Sequence, residues 1–328
     1  GSTNEYFFLQ HGSLARERSA GGRQVQTGVF LLDTWRPAKD WTIEAGTRLD
    51  RMDQRRGSLT ETARADGAIL KKERSEDRWD VRPSTRLSVR WQPMSELAWR
   101  CDIHTGVRFP TLNELYRPFR VGAVTTLANA ALRPEEVRGA SSGLSYTLPD
   151  RTQVHARVFL ERLNDAIANV TIASNTLQRN NLDSTEVKGL EVRANRELNA
   201  HLSLESAYAF TDAKVARSRN SPDLVHRKLP QVPNHAASLA LRARFERFEW
   251  TTQGRWSGAS WDDDLNTMRL RGFLVLDSRA DLHLDQRTTL FASVENLTAS
   301  EIMTRREASG LVGIGTPRMW AVGIRHEF

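Results

Sequence analysis

LVLDSRADLHL, residues 274–284, puts Leu274, Leu276, Ala280, Leu282 and Leu284 at one parity and Asp277, Arg279, Asp281 and His283 at the other. Successive side chains of a strand point to opposite faces, so this alternation predicts a β-strand with one apolar and one charged face. The same period recurs along the chain. Trp41, Ile43, Ala45 and Leu49 oppose Thr42, Glu44, Arg48 and Asp50; Val154, Ala156, Val158 and Leu160 oppose His155, Arg157, Phe159 and Glu161. Ala237, Leu239, Leu241, Ala243 and Phe245 oppose Ser238, Ala240, Arg242 and Arg244. About fourteen such segments are expected, near 2–9, 24–36, 40–53, 79–92, 95–108, 135–148, 151–172, 182–197, 200–214, 233–245, 247–259, 272–284, 287–297 and 317–328.

The links between them alternate in length. Short ones fall at Pro37–Lys39, Pro93-Met94, Pro149-Asp150, Leu198-Asn199, Glu246 and Asp285-Gln286; long ones run near 10–23, 54–78, 109–134, 173–181, 215–232, 260–271 and 298–316. Tight turns at one end and long loops at the other characterise an antiparallel up-and-down transmembrane β-barrel. A soluble sandwich has no reason to keep its long loops at one end, and no fixed repeat suggests a solenoid. Composition agrees. The 328 residues are 39% hydrophobic and 27% charged, and no apolar run approaches the ~18–20 residues of a membrane helix. Barrel strands need only ~9–11 residues and alternate, so a mean hydropathy of -0.52 is no obstacle. Arg157, Glu161, Arg242, Arg244, Arg279, Asp281 and Arg325 are expected to face a hydrated lumen. No linker or composition shift divides residues 1–328, so a single barrel domain is expected.

The net charge of +7 reads as an arginine-rich solvated surface or as affinity for anions. The arginines are spread rather than gathered in a basic block, and no nucleic-acid partner is expected. Cys101 is the sole cysteine, which excludes an intramolecular disulfide and a multi-thiolate metal site. No signal peptide opens the chain.

Residues 105–119, TGVRFPTLNELYRPF, resemble the "gFRaPtlnELy" segment of TonB-dependent receptors, with Phe109, Pro110, Glu114 and Tyr116 at its marked positions. Leu132-Arg133-Pro134-Glu135 is similar to that family's "L-x-P-E". Gly189-Leu190-Glu191 resembles its "G-hydrophobic-E" strand, and Leu229–His235, with Pro230 and Pro233, its "lPxvPxH". Val294-Glu295-Asn296-Leu297-Thr298 resembles "veNLtd", and Pro317-Arg318 leads into a last strand ending in Phe328. The terminal Trp320, Val322, Ile324 and Phe328 resemble the signal read by the outer-membrane β-barrel assembly machinery, with His326 where an aromatic is common. Structural roles are expected for these motifs: Pro110 and Pro118 keep 109–119 out of a ladder, Asn296 bonds nearby backbone at a strand end, and Gly189 and Gly323 leave room for another backbone or an internal object.

The resemblance implies the C-terminal two-thirds of a barrel of about 22 strands, without the plug that carries the TonB-contacting segment. The chain would be a truncated form, a fragment gene or a degenerate member; fourteen strands is an even number, so independent closure is allowed. It further implies an outer-membrane location, contact with lipid and lipopolysaccharide, and TonB as partner if the whole receptor carries a plug. The ligand would be a small metal chelate such as a ferric siderophore, or a cobalamin-like molecule. A plugless, porin-like passive channel and a non-functional barrel fragment are the alternatives.

No cofactor, metal site or catalytic set is expected. The histidines form no close ligand pair, and H-E-x-x-H, G-x-S-x-G and P-loop patterns are absent. Gly310, Gly313 and Gly315 lie in a predicted loop before a strand, which speaks against a phosphate cradle. Trp261-Asp262-Asp263-Asp264 reads as a solvated acidic loop tip; the same residues would suit Ca²⁺ or a cationic ligand with Trp261 stacked beside it. Arg117, Arg120, Arg305 and Arg306 read as solvated loop charges or as contacts for lipopolysaccharide phosphates or an anionic ligand.

Overall fold

In the computed structural model, which describes residues 2–8, 14–122, 124–307 and 310–327, the alternating segments form one antiparallel sheet. Its wall strands are β1 (Ser2–Phe8), β2 (Leu14–Trp35), β3 (Trp41–Ala63), β4 (Arg78–Met94), β5 (Leu97–Arg108), β6 (Glu135–Thr147) and β7 (Gln153–Ala173). They continue as β8 (Thr176–Glu197), β9 (Leu202–Arg217), β10 (His235–Arg244), β11 (Phe248–Ser257), β12 (Phe273–His283), β13 (Thr288–Glu295) and β14 (Met319–His326). Each wall strand pairs with the next in sequence. Among the described residues no ladder joins β14 to β1 or β2, so the sheet is an open wall. β1 covers only the 14–21 stretch of β2.

The short connections share one end, as the alternation predicts. The loop end differs from expectation. The segments 10–23, 54–78 and 173–181, read as loops, are largely strand: β2 begins at Leu14, β3 runs to Ala63 with Ile69–Arg74 folded back on it, and β7 and β8 meet at a turn of two residues. A strand of 23 residues rises ~75 Å at ~3.3 Å per residue, far more than the ~9–11 residues that cross a bilayer. These hairpins project beyond any membrane. Polar side chains hid them: Ile69–Arg74 is exposed throughout, and the covered face of the extended β2 and β3 carries Arg18, Gln54 and Glu61, so apolar–polar alternation is lost.

One face of the wall is apolar and unpaired with protein. Val158, Leu160, Leu239, Leu274 and Val322 are among its exposed side chains. Aromatic groups border it at both ends. Near the turns, Trp41 stacks on Trp91 and Phe245 on Phe248; toward the loops, His235 packs among Tyr208, Phe210 and Trp256. His235 to Phe245 spans ~33 Å along the strand, or ~25 Å after the usual barrel tilt, the height of the lipid-facing band of such barrels. The other face carries ion pairs: Arg157 with Glu191 and Arg255 with Asp277 across neighbouring strands, and Arg279 with Asp281 along β12. Two glycines on it lie under aromatic rings. An added Cβ on Gly189 would come 2.7 Å from the Phe159 ring, and one on Gly323 2.6 Å from the Phe291 ring. The room predicted at both positions is taken by neighbouring strands: by the Phe210 backbone carbonyl and the Phe159 ring at Gly189, and by the Phe291 ring at Gly323.

Leu239 and Ala240 are adjacent on β10 and point to opposite faces. Leu239→Arg should cost about 2–4 kcal/mol in a bilayer, whereas Ala240→Arg should cost less than ~1 kcal/mol. Guanidinium unfolding in lipid vesicles checks this, and a larger loss for Ala240→Arg would invert the facing.

Candidate functional site

The segment TGVRFPTLNELYRPF leaves the wall after Arg108 and folds over the charged face. Pro110 is fully buried, and its carbonyl accepts a bond from Gln24 of β2 at 2.7 Å. Leu112–Tyr116 then form a single helical turn, α1. Its start is a capping box: Thr111 Oγ1 accepts from Glu114 N, and Glu114 Oε2 accepts from Thr111 N. This helix was not foreseen, although T-x-x-E is its sequence signature. Burial pushes the Glu114 carboxyl up, but bonds from Arg108 and Thr111 outweigh it and hold the group below the usual carboxylate range.

Tyr116 and Leu115 are buried beneath the strap that residues 109–134 make. The Tyr116 ring lies on Gly57 of β3 and beside Gly22 of β2, where the β2–β3 register shifts. Any Cβ at Gly57 would overlap that ring. On the opposite side, Asn129 Nδ2 donates to Arg179 O of β8, Asn181 Nδ2 donates to Arg133 O, and Arg179 donates to the Asn113 carbonyl. Arg78 donates to Leu132 O, Leu132 is wholly buried, and Pro134 is buried beside it. One strap thus touches β2 and β3 on one side and β8 on the other. The sheet must curl around it, and the charged face is the concave one.

A chain of ion pairs pins the strap to the first hairpin. Arg117 grips Glu5 at 2.8 and 2.6 Å. Glu5 also meets Arg18, which bonds Glu61 at 2.6 Å and the Pro118 carbonyl at 3.2 Å. Arg117 is therefore committed inside the protein, whereas Arg120 is exposed at a hairpin tip and donates to Gly122 O. Glu135 accepts from Ile167 N at 2.6 Å and pairs with Arg108, and Glu191 pairs with Arg157.

The aspartate run is not one cluster. Asp262 accepts from Gln231 Nε2 and Arg306 N, Asp264 accepts from Thr171 N and Oγ1, and Asp263 accepts from Thr267 and Met268 of its own loop. Among the described residues no group of carboxylates, histidines or thiols is arranged to hold a metal. Asp264 instead ties the 258–272 loop to β7, Asp262 ties it to Gln231 of the Pro230–Pro233 segment and to Arg306, and Asp263 braces the loop itself. Trp261 is half-buried, and its carbonyl accepts from Gln231 N. Arg305 donates to Val121 O, joining the last loop to the strap's hairpin. Asn296, 2% exposed with φ of 51°, bonds the Ser300 and Thr316 carbonyls and accepts from Ser300 N, the backbone-capping role expected of it. Pro317 and Arg318 are exposed at the entry to β14; Trp320, Val322 and Ile324 share its apolar face. Phe328 and the 308–309 stretch lie outside the described residues.

The profile described as "TonB dependent receptor-like, beta-barrel" matches residues 3–297. The chain belongs to this family. The vitamin B12 transporter BtuB of Photobacterium profundum is 23% identical over 274 residues, 83% of this chain and 39% of that protein. The metal-pseudopaline receptor CntO of Pseudomonas aeruginosa is 26% identical over 62% of this chain and 29% of its own length. The ferric yersiniabactin uptake receptor FyuA of Yersinia pestis superposes with a TM-score of 0.78 at 14% identity, over 100% of this chain and 49% of that one. The siderophore receptor PiuA of Acinetobacter baumannii gives 0.73 at 17% identity, over 95% and 44%. The structural likenesses are likenesses of fold, and the chain spans about half or less of each relative.

Two outcomes are expected. Gly57→Ala should displace Tyr116 and cost about 1–3 kcal/mol by overpacking, read as faster tryptic cutting at Arg117 and Arg120; unchanged cutting would show that Gly57 does not seat the strap. Burial pushes the Asp263 carboxyl up, but bonds from Met268 N and Thr267 hold it below the usual carboxylate range. Its folded value is depressed, so its contribution is present above about pH 4 and lost as pH falls through the lower folded value. Loop 258–272 should therefore gain proteolytic susceptibility only at strongly acid pH, and Asp263→Asn should remove that dependence.

Proposed function

We propose that residues 1–328 form one barrel-wall domain of an outer-membrane receptor for TonB-energised uptake of a scarce nutrient, a metal chelate or a cobalamin-like molecule. The observation that carries this reading is the strap at the loop end, folded across the concave face and tied to hairpins from both sides. Such an arrangement supplies a broad capture surface above a charged channel wall. The family's receptors and transporters support the same reading. Outer-membrane lipid, lipopolysaccharide and the barrel assembly machinery are the partners an apolar, aromatic-bordered wall calls for. The open wall argues against a self-contained passive channel.

The chain has nine tryptophans, and Trp261 lies on the loop side. The chain in detergent should show saturable fluorescence quenching with one class among ferric catecholates, ferric citrate, metal-loaded amino-carboxylate chelates and cyanocobalamin. Absence of saturation with every class, together with a large ligand-independent conductance in planar bilayers, would replace the receptor reading with a passive channel.

A further inference from the structure

The outer face carries an arrangement that capture and transport leave unused. Leu87, Ile103, Ala140 and Leu160 are successive register partners on β4, β5, β6 and β7. The three large side chains stand exposed from the wall, and the small Ala140 between Ile103 and Leu160 forms the floor of a trough. The trough has a volume of about 550 Å³. It deepens because the β4–β5 ladder stops at Arg86 and His104; above it only Thr85 N and Oγ1 meet Thr105 Oγ1, at 3.0 and 3.1 Å.

The next outward row toward the loops is polar. Thr105 faces Arg138, and Arg138 faces Arg162 directly across the ladder. Like charges placed directly opposite in a sheet are destabilising, and little on the protein offsets this pair. Glu186 lies 3.4 Å from Arg162 but also 3.8 Å from Lys188; Asp212 is shared by Lys188 at 3.9 Å and Lys214 at 3.7 Å. Three cations share these two carboxylates, and Arg138 has no ion pair among the described residues. This row begins two residues above the last apolar one, ~7 Å up the strands, at the loop-side rim of the lipid-facing band.

We infer that this is a binding site for a phosphorylated, acylated lipid of the surrounding leaflet. A phosphate between Arg138 and Arg162 removes their repulsion through paired guanidinium bonds. An acyl chain lies along Leu87, Ile103, Ala140 and Leu160. The guanidinium of Arg117, read from sequence as a solvated loop charge or a contact for lipopolysaccharide phosphates, is held by Glu5 instead. The inference rests on the wall's membrane position and stands whether or not the capture reading does.

Native mass spectrometry of the detergent-solubilised chain, titrated with bis-phosphorylated lipid A, tests it. One retained lipid per chain is expected. Arg138→Gln with Arg162→Gln should weaken retention at least tenfold, and Ala140→Phe, which fills the trough but keeps both arginines, should do the same. The heat-dependent gel mobility of each variant checks that it is folded. Equal retention by the folded variants overturns the site, as does equal retention of dephosphorylated lipid A. Displacement by excess inorganic phosphate as complete as by lipid A itself would make it a free-anion site and overturn the lipid assignment.

Discussion

A chain that crosses hydrocarbon must satisfy its backbone N–H and C=O groups within its own structure, because no water is there to accept or donate. In this protein the antiparallel ladder does that work, strand to neighbouring strand. The rest follows from it. Fixed pairing fixes facing, since slipping one strand by one residue would put Arg157 in lipid and Val158 in the lumen. Fixed facing then decides the chemistry of each surface. The outer face is apolar and bordered by aromatic rings, while the inner face holds Arg–Asp and Arg–Glu pairs. The glycines at 189 and 323 belong to the same constraint, because each lets a phenylalanine of the adjacent strand lie flat across the ladder instead of standing into the channel.

The sequence legibly carried the wall. Alternation in 154–161, 237–245 and 274–284 located strands, their facing and the end at which the turns gather, because in these stretches one face meets lipid and the other water. It failed where that contrast vanishes. Residues 69–74 are strand exposed on both faces, and residues 54–63 bury Gln54 and Glu61 on the face the strap covers, so both stretches read as polar loop. The strap was legible as a motif and as a break in the ladder at Pro110, but not as a structure. Its destination depends on Gly22 and Gly57, whose meaning appears only when Tyr116 lies on them.

The candidate site shows the same division. Asp262, Asp263 and Asp264 are adjacent in sequence, which suggested a shared ligand, yet a turn sends their carboxylates to three separate sets of donors. Arg117 looked like a free loop charge and is a structural tether to Glu5, more than a hundred residues away in sequence. Spacing cannot report such contacts, because the partners meet only after the wall has curled. Arg138 and Arg162 were unremarked because register, not sequence distance, places them face to face.

The way the wall is paired bears on how it is made. Every wall ladder joins consecutive strands, so its contacts are local for a β protein, and local contacts close quickly because little chain entropy is lost in forming them. The sheet can grow hairpin by hairpin from any starting point. The strap is different. Its bonds to Glu5, Arg18 and Gln24 span roughly a hundred residues, and with those to Arg179 and Asn181 of β8 they need both flanks of the sheet to be present. Docking of Tyr116 on Gly57 is thus a late event, and it registers that the wall has reached its curvature.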